Sequence, residues 1–283
     1  LTPTISSPTI GQNGTLRVGI DADGGAPFVT SSSSASYAGL DVDMAAALAD
    51  QLGLKLELVD VAGNASSALA DGDVDIVMSQ TSTEKSSTMW VSDPYIETGV
   101  ALFASNGSTT VPASVQASSI AAQSSSTSAW AVQNAFGDDA LNPASDLVSA
   151  FSLVETGKSQ YVAADAVIGS YAALVQSVNV QPIALLGSKG GYCIGVDSSN
   201  QELQKAISAA LSAVRGNGVF DAVCAKWLGS SMNLDALSTI EVSSSKSVSA
   251  GDDSDEESAD GASAETASSS TAGANAVQPG STR

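Results

Sequence analysis

Histidine occurs nowhere in the 283 residues, and the two cysteines, Cys193 and Cys224, stand 31 positions apart. The missing histidine removes Ser-His-Asp and Cys-His nucleophiles and every histidine-containing metal site. The cysteine spacing fits neither a CxxC redox pair nor a zinc knuckle, and leaves a disulfide or two buried thiols. A bridge would stabilise by roughly 3–4 kcal/mol and imply an oxidising, exported location. What remains for chemistry is hydroxyls, acids and a few cations. Ser79, Thr81 and Ser82 follow the apolar run "VDIVM", where hydroxyls and backbone amides can meet a carboxylate or hydroxyl. Ser125, Ser126 and Thr127 precede a helix whose free amides favour an anion. Asp23 and Phe28 border the first turn. This is chemistry for holding a molecule.

Charge narrows the partner. The net charge is −20, of which the eight acids from Glu241 onward, against Lys246 and Arg283, account for −6 and the body for the other −14. Ten basic residues in total cannot neutralise many phosphates, so a nucleic-acid partner is excluded, and anionic membrane surfaces are disfavoured. No apolar run reaches the roughly 18 residues of a bilayer span. The expectation is an exported mature form, tethered at a membrane through a removed N-terminal lipid-anchor segment, with residues 1–14, "LTPTISSPTIGQNG", as a flexible spacer.

From Leu16 short aliphatic strands alternate with small-residue helices, a pattern that implies parallel sheets with crossover helices. "LRVGI" (16–20), "KLELVD" (55–60), "VDIVMS" (74–79), "GVALFA" (99–104), "SSIAAQ" (118–123) and "YCIGVD" (192–197) read as strands. Asp41 or Asp43 is positioned to cap a helix in which Met44, Ala47, Leu48 and Leu52 recur and which Gly53 stops. Further helices are expected at about 128–136, 158–164, 170–177, 200–215 and 218–229, with the apolar runs 151–154 and 166–169 between them. Residues 240–283 are too polar and acidic to offset their own ordering entropy and read as a disordered Ser-rich tail.

In order, "LRVGIDADGGAPF", "YAGLDVDMAAALADQLGLKLELV", "LADGDVDIVMSQTSTEKSSTMWVSDPY" and "YCIGVDSSNQELQKAISAALSAVRGNGVFDAVCAKWLG" closely resemble the extracellular solute-binding proteins of family 3, receptors of polar amino-acid ABC importers. The resemblance implies a type II periplasmic-binding-protein-like α/β fold, two lobes joined by two hinge strands with the ligand between them. Lobe 1 would be residues 15–104 plus 191–231 and lobe 2 residues 105–190. The crossings would fall near 104–110 and 187–192, with Gly107, Gly187, Gly190 and Gly191 permitting rotation. A Cys193–Cys224 bridge would pin the last helix to the returning strand.

In the family an arginine grips the ligand's α-carboxylate, an aspartate in lobe 2 takes the ammonium, and aromatic rings stack on it from lobe 1. Here Lys85 stands at the arginine position and Ser170 at the aspartate position, while Gly25 and Ala62 replace the aromatics. Trp130 and Tyr171 are substitutes available from lobe 2. The family scaffold is therefore expected with a changed pocket, able to take a bulkier or less zwitterionic solute. The resemblance implies a monomeric, non-catalytic receptor that needs no cofactor or metal, with a small-molecule solute and membrane permease subunits as partners. A ligand-free sensor or interaction module is the alternative. A cyclohexadienyl-dehydratase-like enzyme, known among the family's relatives, is disfavoured because the aligned cleft lacks histidine and paired carboxylates.

Overall fold

The computed structural model describes residues 2–33 and 36–242. Its strands are β1 (Thr15–Ile20), β2 (Thr30–Ser33), β3 (Ser36–Ala38), β4 (Lys55–Asp60), β5 (Ile76–Gln80), β6 (Met89–Val91) and β7 (Ile96–Thr98). There follow β8 (Val100–Ser105), β9 (Ile120–Gln123), β10 (Leu141–Ala144), β11 (Tyr161–Asp165), β12 (Val180–Leu186), β13 (Gly190–Asp197) and β14 (Ser238–Ile240). The helices are α1 (Leu40–Gln51), α2 (Ala65–Ala70), α3 (Thr127–Phe136), α4 (Leu147–Glu155), α5 (Ala166–Gln176), α6 (Gln201–Gly216) and α7 (Val219–Leu228).

These strands build two six-stranded sheets. The first has the order β4-β1-β5-β13-β6 with β7 also on β13, and the second β10-β9-β11-β8-β12-β14. Within the first, β1 is parallel to β4 and β5, so its residues are covered on both faces and all but Arg17 are buried. Arg17 reaches the sheet rim and pairs with Asp75 at 2.8 Å. Leu203, Ile207, Ala210, Leu211 and Val214 form one stripe of α6 and pack with Met44 and Leu48 of α1 against the first sheet. In the second sheet neighbouring residues split between faces. Ala121 and Phe103 point to Phe151 of α4, whereas Ile120, Ala122 and Leu102 point to Ala129 and Val132 of α3.

The chain changes sheet at Gly99, between β7 and β8, and returns across residues 187–189, between β12 and β13. "GVALFA" thus hydrogen-bonds in the second sheet, antiparallel to β11 and β12, and not in the first as the sequence suggested. Gly107 lies in the turn after β8 and plays no part in the crossing. A Cβ on Gly191 would sit 2.5 Å from Pro94 Cβ and 2.7 Å from the Ile96 carbonyl oxygen, so only glycine lets these segments lie together. Lys189 joins Glu97 of the other crossing at 2.9 Å and also pairs with Asp235, on the later passage towards β14.

Three local expectations are corrected. Residues 151–154 lie inside helix α4, 161–165 form strand β11 where a helix was expected, and 166–169 open helix α5. Capping carboxylates set those starts: Asp146 accepts from the Ser149 amide at 2.7 Å, and Asp165 from Val167 and Ile168 at 2.9 and 3.0 Å. Residues 2–14 are docked and do not form a loose spacer, because Ile10 is buried in the first core, Ile5 packs on it, and Gly11 N–H donates to Asp75. The expected tail begins later than residue 240, which closes β14, and the rest of it, residues 243–283, lies outside the described residues.

The expected disulfide is absent. Cys193 and Cys224 are both free and buried. Along β13, Ile194 and Val196 join the core that holds Cys224 of α7. A Cβ on Gly195 would instead meet Val77 and Met89, which belong to the cluster on the opposite face. Cys193 alternates with Ile194 and shares the side of Gly195, so the sheet separates the two thiols. Burial raises the pKa of both, that of Cys224 to about 11, which makes them poor nucleophiles.

Candidate functional site

The parallel strands of the two sheets end in polar turns, the place where open α/β sheets hold ligands. Near the end of β5 the backbone turns at Ser79, which adopts a left-handed φ of 57°. Thr81 then caps the short 3₁₀ turn Ser82–Glu84, donating its N–H to the Glu84 carboxylate at 2.5 Å, with its hydroxyl 2.8 Å from that of Thr83. Ser82 and Lys85 project into solvent, and among the described residues Lys85 forms no ion pair.

After β9, Ser125 is left-handed (φ 57°) and Ser126 caps α3, accepting the Ala129 amide at 3.1 Å while donating to the Gln123 carbonyl at 2.7 Å. Thr127 is the first helical residue, and Trp130, one turn on, is 52% exposed. Replacing Ser126 with alanine is expected to cost about 1 kcal/mol in urea unfolding. Ser125→Ala leaves the cap in place and serves as the control.

Asp23 is exposed in the turn after β1, its amide bonded to the Asp21 carboxylate at 3.1 Å. Two other sequence candidates touch hydrophobic neighbours, Phe28 buried and Ser170 half-buried. Phe28 is 7% exposed and packs against Tyr192, the ring centroids 4.3 Å apart and the planes tilted by 52°. The Ser170 hydroxyl lies 3.8 Å from the Met232 sulfur. Tyr171 is half-buried against the first core. Most of the sequence candidates therefore gather on two turns, 79–85 and 125–127, while Phe28 packs in the first core.

Asp41 and Asp43 do not cap α1. The N-cap is Gly39, and no side chain bonds the helix start. Asp43 instead accepts from Trp227 Nε1 and Lys226 Nζ, both at 2.6 Å. Asp41 is 1% exposed and accepts from Ser79 Oγ at 2.6 Å and Tyr95 Oη at 2.5 Å. Burial without a cation raises its pKa to about 6, against which the two hydroxyls pull. Asp41 thereby ties the left-handed Ser79, which aims the 80–85 turn, to the segment that enters the crossing. The sequence signal was there: Asp41 shares the helical face of Met44, Leu48 and Leu52.

Asp165 makes a similar link in the second sheet. It caps α5, accepts from Thr98 Oγ1 of the crossing at 2.7 Å, and has its pKa raised by burial.

Two sheets bridged by crossing segments, with polar turns at the ends of their parallel strands, define a type II periplasmic-binding-protein-like fold. The chain belongs to the bacterial extracellular solute-binding proteins, family 3, whose sequence pattern matches residues 16–230. Among solved structures it is similar to an ancestral cationic amino acid solute-binding protein, at 26% identity and a TM-score of 0.60, over 76% of this chain and 96% of that one. The L-cystine solute receptor of Neisseria gonorrhoeae in its unliganded open conformation matches at 22% identity and a TM-score of 0.66, over 76% and 93%. A polar amino acid ABC uptake transporter substrate-binding protein from Streptococcus thermophilus matches at 21% and 0.67, over 78% and 88%. No curated protein matches the chain. No helix among the described residues is long and apolar enough to cross a membrane.

Proposed function

We propose that this chain is the non-catalytic, extracellular receptor of an ABC importer, capturing a small polar solute, an amino acid or a derivative of one, between its lobes. It works as a monomer tethered at the outer face of a membrane and hands the solute to the permease subunits. The observation that carries this reading is the turn Thr81–Lys85. It presents a cation that pairs with no acid among the described residues, beside hydroxyls, at the carboxyl end of the first sheet, in a chain of the solute-binding family.

The hydroxyl turn Ser125–Thr127 is the matching element on the second sheet. Lys85 offers a point charge and no planar fork, so the solute's anionic group is held more loosely than an arginine would hold it. Acid–base turnover is disfavoured, since the strongly shifted carboxylate Asp41 is buried under Ser79 and Tyr95.

Native mass spectrometry of the full chain, purified from rich medium, is expected to find a co-purifying small molecule that raises the melting temperature when added back. One observation favours a second reading, a ligand-free interaction module: Ser170, at the ammonium-binding position, is turned to Met232. A protein that carries no solute and shows no melting shift with a broad solute panel would establish that alternative.

A further inference from the structure

The chain passes between the two sheets a third time. Helix α7 buries Val223, Cys224 and Leu228 in the first core. Strand β14, which follows it, hydrogen-bonds the edge of the second sheet, parallel to β12, with Ala184 opposite Ser238 and Leu186 opposite Ile240. Between them Met232 packs against both cores, and Leu234 is buried in the second. The six residue steps from Leu228 to Leu234 span at most about 20 Å, and the double contact of Met232 leaves little slack. This segment is a short strap between two bodies.

The strap meets the other two passages at one place. Gly187, where the return crossing begins, donates its N–H to the Ile240 carbonyl at 2.9 Å. Two residues on, Lys189 Nζ donates to both carboxylate oxygens of Glu97, on the outward crossing, at 2.9 Å, and pairs with Asp235 of the strap. The two crossings already lie against each other, since a Cβ on Gly99 would sit 3.3 Å from Lys189 Cα. One cation therefore joins all three passages.

We propose that residues 229–240 act as a strap, pinned at Lys189, that limits how far the two sheets rotate about their crossings. Two passages lying side by side leave such a rotation free, because a few residues at the ends of elements absorb it. A third connection, anchored by Leu228 in one core and Leu234 in the other, allows only the range that its length and the ion pair permit. The inference goes beyond the receptor reading and holds with or without a solute. The Lys189 side chain is 34%, that of Glu97 38% and that of Asp235 76% exposed, so salt screens the pin.

The test is a pulsed electron-spin distance measurement on the full chain, with labels at two exposed sites, Glu57→Cys on β4 and Glu155→Cys at the end of α4, while both native thiols are buried. At low salt Asp235→Asn is expected to raise the population outside the main distance peak by about two- to fivefold, the range of a partly exposed ion pair. Salt at about 1 M should broaden the distribution of the parent towards that of Asp235→Asn and change the variant less. Asp235 is exposed, so the variant stays folded, and its melting curve verifies this. Distributions that overlay at low salt, or an equal response to salt in both proteins, overturn the proposal.

Discussion

Alanine at Gly39 is expected to destabilise the protein by about 4 kcal/mol or more, among the largest effects of any single substitution in the chain. A Cβ at this position would lie 1.9 Å from the Phe28 carbonyl oxygen, 2.6 Å from its carbon and 2.9 Å from Val29 Cα. All three are backbone atoms, so no side-chain rotation relieves the clash, and the φ of +153° strains any L side chain as well. The contact cannot open cheaply. The Pro27 and Phe28 carbonyls accept the first two amides of α1, from Leu40 at 2.8 Å and Asp41 at 3.1 Å. Pushing the 27–29 turn away therefore strips the start of the helix that carries Asp41, Met44 and Leu48 into the first core. The control is Gly72→Ala, where φ is +72° and nothing lies within 4 Å of the added carbon. That variant bears only the left-handed strain of about 1–2 kcal/mol. Equal midpoint shifts for the two variants in urea would refute this account.

Asp41→Asn is expected to abolish a pH dependence. The Asp41 carboxyl titrates at about 6 when folded, against an ordinary 3.8. Below the lower value both folded and unfolded chains hold the proton, and the site contributes its full stability. As pH rises towards the upper value the unfolded chain has released the proton while the fold still retains it, so stability falls, and it levels off above the folded pKa. Two pKa units correspond to about 3 kcal/mol. The groups facing Asp41 from the elements packed on it are Ser79, Tyr95 and Tyr192, and none is cationic. The variant lacks this titration, so the difference in unfolding free energy, wild type minus Asp41→Asn, should drop by about 3 kcal/mol from about pH 3 to about pH 7. A constant difference would mean that the carboxyl titrates normally. At neutral pH the hydrogen exchange of amides 80–85 should also change in the variant, because Ser79 loses its anionic partner.

The alternating pattern from Leu16 onward, the long stripes of α1 and α6 and the strand ends rich in hydroxyls were legible because each is local. A strand covered on both faces reads as a continuous apolar run, a surface helix as a 3.6-residue repeat, and a turn by its serines and glycines. The α/β class and the polar turn after the apolar run 74–78 follow from those signals, whereas the two-lobed arrangement and the turn at 125–127 came with the family resemblance.

Between residues 147 and 176 the same reasoning fails, because runs as short as "FSLV" and "AVIG" have no measurable period. Tertiary packing decided there. Phe151 sits edge-on to Phe103 at 5.9 Å, and Gly169 admits the same ring where a Cβ would come within 2.7 Å. Strand β8 looked like a member of the first sheet because it follows β7, yet its partners are β11 and β12, some 60 to 80 residues later in the chain.

The remaining differences share that cause. Ile10 found a core, and Cys193 and Cys224 fell on opposite faces of one sheet. Sequence periodicity states which face of an element is apolar. Which other element covers that face is settled only when distant segments compete to bury it, and on that competition depend the partners of Asp41.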